Sequence, residues 1–162
     1  QRAARVAARL QGQLGVESVL VPEFRGGRHA HEQLMLVPAA TVELAGRSLD
    51  PRDEVAPWPG SLPAPSPTRL LSDPVAVEVL DESGGVVEVT GRGLLSSPPT
   101  QLIVKGRCKA VVGWSGPWPI DERWWDAEAH RRQARLQLVT ADGRAQLVAL
   151  EAGVWQVTAH WD

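Results

Sequence analysis

The 162-residue chain has a single cysteine, Cys108. A lone thiol excludes an internal disulfide and any metal site built from several thiolates, and it fits a reducing compartment, so a cytoplasmic location is expected. Long apolar runs are also missing. None approaches the ~20 residues that a bilayer crossing needs, and the start Gln1-Arg2-Ala3-Ala4-Arg5 is not a basic tip followed by an apolar core, so neither a membrane partner nor a secretion signal is expected. Methionine occurs once, as Met35, which leads us to expect a piece of a longer protein. Net charge is nearly absent: 17 Lys and Arg against 19 Asp and Glu leave −2, without the field that would gather nucleic acid. Lysine is scarce, Lys105 and Lys109 alone among 17 basic residues, and a GC-rich genome accounts for such an arginine bias.

What is present is dominated by tryptophan. Gly113 to Trp125, Gly-Trp-Ser-Gly-Pro-Trp-Pro-Ile-Asp-Glu-Arg-Trp-Trp, holds four of the seven tryptophans in the chain. Each can bury on the order of 150–250 Å², so the stretch must either fill a core or form an adhesive face. Its prolines and the Gly-Pro step predict a rigid, extended connection between strands rather than a strand or helix interior. Trp114 follows an apolar strand and is expected in the core. Trp124 and Trp125 are neighbours and need not face the same way, so one is expected inside and the other at the surface. Trp118 lies between two prolines that fix its backbone.

Elsewhere the patterning is orderly. Ala3, Val6, Ala7, Leu10 and Leu14 recur at helical spacing and Gly15 follows as a cap, which predicts one amphipathic helix. Arg2, Arg5 and Arg9 share a flank of it, either tracking phosphates or lying solvated. Val16 to Phe24 reads as a strand placed at an edge by Pro22, Arg25 to Arg28 as a loop, and Gln33 to Val37 as a second strand. His29 and His31 alone do not complete a metal site. Prolines crowd 51–74, predicting a semi-rigid linker or a strap that lies across its own domain with Trp58 as the rivet. From Val75 the signal is β: hairpins turn at 81–85, 105–107 and 141–144, a helical turn or two is expected from Asp126, and the last strand ends at Trp161. The expected fold is mainly β, a small antiparallel barrel or sandwich over 75–162, preceded by 1–50 (the helix and strand pair) and the strap.

The order of Gly-Pro-Trp-Pro-Ile-Asp-Glu-Arg-Trp-Trp-Asp (Gly116 to Asp126), a basic spacer, the Asp142-Gly143-Arg144 hairpin and a final Trp-bearing strand resembles the carboxyl-terminal region of the ImuB family. Ala8 to Leu20 also looks like that family's segment beyond its polymerase-like core. The family comprises catalytically inactive Y-family polymerase homologues of the bacterial mutasome, and the Trp- and Arg-rich form looks actinobacterial. The resemblance implies a scaffold for translesion synthesis in SOS mutagenesis. The implied partners are a RecA-like ImuA-type protein and an error-prone C-family DNA polymerase. It also implies a sliding-clamp peptide of Gln-Leu-x-Leu-Trp type upstream. Gln13-Leu14-Gly15 lacks the aromatic anchor of such a peptide.

Two functional readings follow, with catalysis a distant third. As a protein-interaction module, the chain would use Trp118, Trp124, Trp125, Leu94 and Leu95, since aromatic anchors dominate small interfaces. As a single-strand nucleic-acid-binding barrel, with DNA a weak partner, it would use Lys105, Arg107, Lys109, Arg131 and Arg132 (with Arg135) beside stacking aromatics. Asp121, Glu122, Asp126 and Glu128 beside the tryptophans oppose that second reading. An enzyme is not expected. Asp121, Glu122 and His130 form an acid–base set only on paper, Ser115 is not in a Gly-x-Ser-x-Gly elbow, Cys108 reads as buried on a strand, and no phosphate loop or cofactor motif is present.

Overall fold

The computed structural model describes residues 2–24, 28, 29, 32, 34–42, 58 and 60–161, which fall into two compact units, Gln1–Pro57 and Trp58–Asp162. No helix among them is long and apolar enough to cross a membrane.

In the first unit, α1 (Arg2–Leu14) ends where the spacing predicts. The N–H of Gly15 donates to Gln11 O at 3.0 Å, and Gly15 takes φ 95°, a left-handed-side conformation that favours glycine. Val16–Ser18 then forms a single 3-10 turn rather than the start of a strand, closed by Ser18 Oγ donating to Gly15 O at 2.7 Å. The strands β1 (Leu20–Phe24) and β2 (Leu34–Pro38) pair antiparallel with Pro22 opposite Leu36. A two-stranded sheet has only edges, so the missing proline N–H costs no ladder bond there. Most of the expected glycine loop, and His31, lie outside the described residues, as does most of the strap before 60.

The second unit is a closed barrel of six strands: β3 (Arg69–Leu80), β4 (Gln101–Val104), β5 (Arg107–Glu122), β6 (Arg131–Thr140), β7 (Ala145–Glu151) and β8 (Val154–Trp161). Each strand pairs antiparallel with the next, and β8 returns to β3 through Val75↔Val157 and Val77↔Trp155. Closure gives every strand two neighbours, although the short β4 pairs only with Val77–Leu80 of β3 and Arg107–Ala110 of β5. Val79, Leu102, Leu136, Leu138, Val148, Trp155 and Val157 fill the interior. Val87, from the connection 81–100, joins them, and its carbonyl accepts a 2.7 Å hydrogen bond from Trp155 Nε1. This matters because a buried indole N–H without a partner would cost about 1–3 kcal/mol.

Several expectations are corrected here. The Trp-rich stretch is mostly strand: Gly113 to Glu122 belongs to β5, because register shifts between Val111 and Gly113 and between Ser115 and Trp118 absorb what a regular ladder would reject. Pro117 falls in the second shift, where no ladder donor is needed. Gly116 there has φ 109°, and a Cβ on it would stand 2.8 Å from Arg135 O, so only glycine fits. Val86 to Val89 form no return strand, only the isolated bridges Leu80↔Val86 and Val89↔Leu95, because this connection folds over the end of the barrel. No helix follows Asp126, and β6 begins at Arg131. β3 starts before Val75 and passes Pro74 by a shift between Leu70 and Val75. Cys108 is exposed and Trp114 is 44% exposed, because the alternating set Cys108, Ala110, Val112 and Trp114 lies on the outer face of β5 while Val111, of the opposite parity, packs against the core.

The described part of the strap is fastened to the barrel at two places. Trp58 lies 5.9 Å from Arg135 in a cation–π contact, Arg135 Nη2 donates to Gly60 O at 2.5 Å, and the backbone of Gly60 packs directly on Pro119 O. Farther on, Trp161 Nε1 donates to Pro65 O at 2.9 Å and Thr68 N to His160 O at 3.0 Å. Ser61 to Pro65 can reach roughly 17 Å. That is enough to join the contacts on β5 and β6 to those on β8. On β7, Leu147 and Ala149 are buried although register turns them away from the Leu136–Val148 core pair. Burial pulls Arg135 down to about 10 while the Glu122 carboxylate acts to raise it, so the guanidinium stays charged at neutral pH.

Candidate interaction surface

The antiparallel meander sorts the connections between two ends. The long ones, 81–100 and 123–130, share an end with the turn at Ala152 and Gly153. The tight turns at 105–106 and 141–144 occupy the other.

The connection from Arg123 to His130 is short of regular structure but well bonded. Arg123 takes φ 52°, its carbonyl accepts from Asp126 N at 2.8 Å, and Asp126 Oδ1 accepts from Glu128 N and Ala129 N at 3.1 and 3.3 Å. Asp126 thus caps a turn rather than a helix. At the base His130 Nε2 lies 2.8 Å from Asp121 Oδ1, which ties the two sides of the connection together. Trp124 and Trp125 stand on this loop at 73% and 72% exposure, ring centroids 5.8 Å apart and planes at 87°. Neither enters the core, contrary to the expectation for one of them, because a loop with a left-handed residue does not alternate as a strand does. Their edge-to-face contact holds each ring with the other.

The neighbouring connection is bonded too. Asp81 Oδ1 accepts from Ser83 Oγ, Ser83 N and Gly85 N at 2.7 to 2.9 Å, and Oδ2 accepts from Ser97 Oγ at 2.9 Å. The hydroxyl of Ser83, then that of Ser97, then the Gly85 N–H hold this carboxyl below its usual range. Arg132 Nη2 reaches Gly91 O at 2.7 Å and joins the base of the Trp loop to this one. Val86, Leu94 and Val154 are exposed at the same end.

The residues expected to bind a partner thus separate. Trp124, Trp125 and Leu94 come to one end and are exposed, whereas Leu95 packs against the core opposite Val89. Trp118 is half-buried in the barrel wall, paired with Arg135 beside the strap. Val86 and Val154 were not anticipated, and no sequence signal distinguishes these valines from their buried neighbours Val87 and Val157.

The residues expected to bind nucleic acid do not form one patch. Lys105, Arg107 and Lys109 lie at the tight-turn end, and Arg131 and Arg132 at the Trp end. Lys109 Nζ bonds Asp142 Oδ2 at 2.7 Å, Arg131 makes a two-pronged pair with Glu151, and Arg132 is used on Gly91 O. Bonds from Lys109, then Thr140, hold the Asp142 carboxyl far below its usual range. Asp121 and His130 brace the loop, and Glu122 faces the Arg135 guanidinium, so the three form no convergent acid–base group. Comparison with protein-family models, with curated proteins and with solved structures gave no match.

Proposed function

We propose that the chain is a protein-interaction module whose contact surface is the Trp124–Trp125 pair, with the exposed Leu94, Val86 and Val154 at the same end of the barrel. The observation that carries this reading is two large aromatic rings, each more than 70% exposed, on a loop held by hydrogen bonds at its base and tip. A bonded loop loses little conformational freedom on binding, so the apolar area it offers converts efficiently into affinity. Glu128 and Asp126 beside the rings and the internal pairing of Lys109 and Arg131 favour a protein over a nucleic-acid strand. Binding, rather than catalysis, is the role this surface supports.

The motif from Gly116 to Asp126 extends the proposal to a scaffold of translesion synthesis resembling the ImuB carboxyl-terminal region. Its partners would be a RecA-like ImuA-type protein or an error-prone C-family polymerase, with any sliding-clamp peptide elsewhere. Calorimetric titration of the chain with each protein, and with single-stranded DNA, tests it. Micromolar or tighter binding to either protein, with only weak, salt-sensitive DNA binding, is the expected result. Tight DNA binding with neither protein bound would refute it.

A further inference from the structure

The helix α1 carries a second surface, remote in sequence from the tryptophans. Val6, Leu10 and Leu14 recur every fourth residue and so form one narrow stripe, and they are 54%, 39% and 71% exposed. Arg2, Arg5 and Arg9 run along a flank of that stripe, exposed and without an ion-pair partner among the described residues. The first acidic residue of the chain is Glu17, beyond the end of the helix. An apolar stripe beside an uncompensated arginine row is half of an interface.

We propose that α1 is a ligand helix that docks into an apolar groove rimmed by carboxylates on a partner protein. Charge complementarity fixes the rim: three guanidiniums at helical spacing, each able to take a carboxylate in a two-pronged bond, ask for acidic residues along one wall. The stripe fixes the floor. Val6 to Leu14 spans roughly 12 Å of helix, the footprint of a short groove holding three aliphatic anchors. A lipid surface fits less well, since such helices use broad apolar faces with tryptophan or phenylalanine, and this stripe has neither. A nucleic acid would engage the arginines and leave the exposed leucines in water.

The probe is calcium-loaded calmodulin, an acidic protein with an apolar groove that accepts basic amphipathic helices. The intact chain is expected to bind it with a Kd in the micromolar range. Leu10→Asp, and separately the double change Arg5→Glu with Arg9→Glu, are each expected to weaken binding at least about tenfold while the melting temperature of the barrel stays unchanged. Trp124→Ala is expected to leave it unaltered, which separates failure here from failure of the tryptophan surface. Absence of calmodulin binding would overturn the proposal. So would equal binding by the Leu10→Asp variant, or tighter binding to phosphatidylserine vesicles or oligo-thymidine than to calmodulin.

Discussion

The two ends of the barrel are built from the same chain by different rules. At the tight-turn end, the 105–106 connection uses Lys105 at φ 49° and Gly106 at φ 73°, while Asp142 gathers Thr140 Oγ1 at 2.5 Å and Lys109 Nζ at 2.7 Å. Polar groups there are largely consumed in holding the turns. At the other end the polar groups also hold the backbone, but the apolar side chains are left outside: Trp124, Trp125, Leu94, Val86 and Val154. Turn-making alone therefore does not account for the second end. Two tryptophans more than 70% exposed contribute nothing to the core, and what the loop's hydrogen bonds stabilise is their presentation.

The strongest way to sharpen the contrast is to compare tryptophans. Trp155 is 2% exposed and anchors the 81–100 connection through Val87 O. Trp155→Ala should cost about 3–5 kcal/mol, by leaving a cavity and an unsatisfied carbonyl, and show as a large fall in melting temperature. Next in size is the strap. A fragment spanning 58–162 should unfold cooperatively, whereas one beginning at Asp73 loses the strap's contacts with Arg135 and Trp161 and the start of β3, and should melt earlier and more broadly. Gly60→Val tests the same contact with one residue: its side chain would collide with Pro119 O at φ 90°, lowering the melting temperature without touching either end.

The smallest effect belongs to the tight-turn end. The folded-state pKa of Asp142 lies below its unfolded value, so its contribution is complete above about pH 4 and is lost as acid protonates the folded carboxylate. Thermal melts of Asp142→Asn should fall slightly below the parent chain at neutral pH and converge with it in strong acid. A gap that widens on acidification would contradict the assignment.

How much of this is legible in the sequence depends on the range of the interaction. The β class and the turns at 105–106 and 141–144 rest on local alternation and turn residues, and a reading of neighbours finds them. Closure of the sheet is not local, since it depends on β8 meeting β3. The exposure of Trp114 and Cys108 turns on which face of β5 meets the core: both parities of Arg107–Trp114 carry apolar residues, and only packing of Val111 inward puts Cys108, Ala110, Val112 and Trp114 outside. Arg135 looks like a surface residue of β6 until Trp58, far away in the chain, is laid over it. The fate of the Trp124–Trp125 pair was unreadable for the same reason, because adjacency implies opposite faces only on a strand.

The central claim, that these two rings serve a partner rather than the fold, is tested most directly by measuring melting temperature and affinity on one variant carrying Trp124→Ala and Trp125→Ala. The account predicts a melting temperature within a few degrees of the parent and a loss of ~2 kcal/mol or more in binding, about thirtyfold, for whichever partner the calorimetry identifies. A variant that melts early, or that binds its partner as well as the parent does, would contradict it.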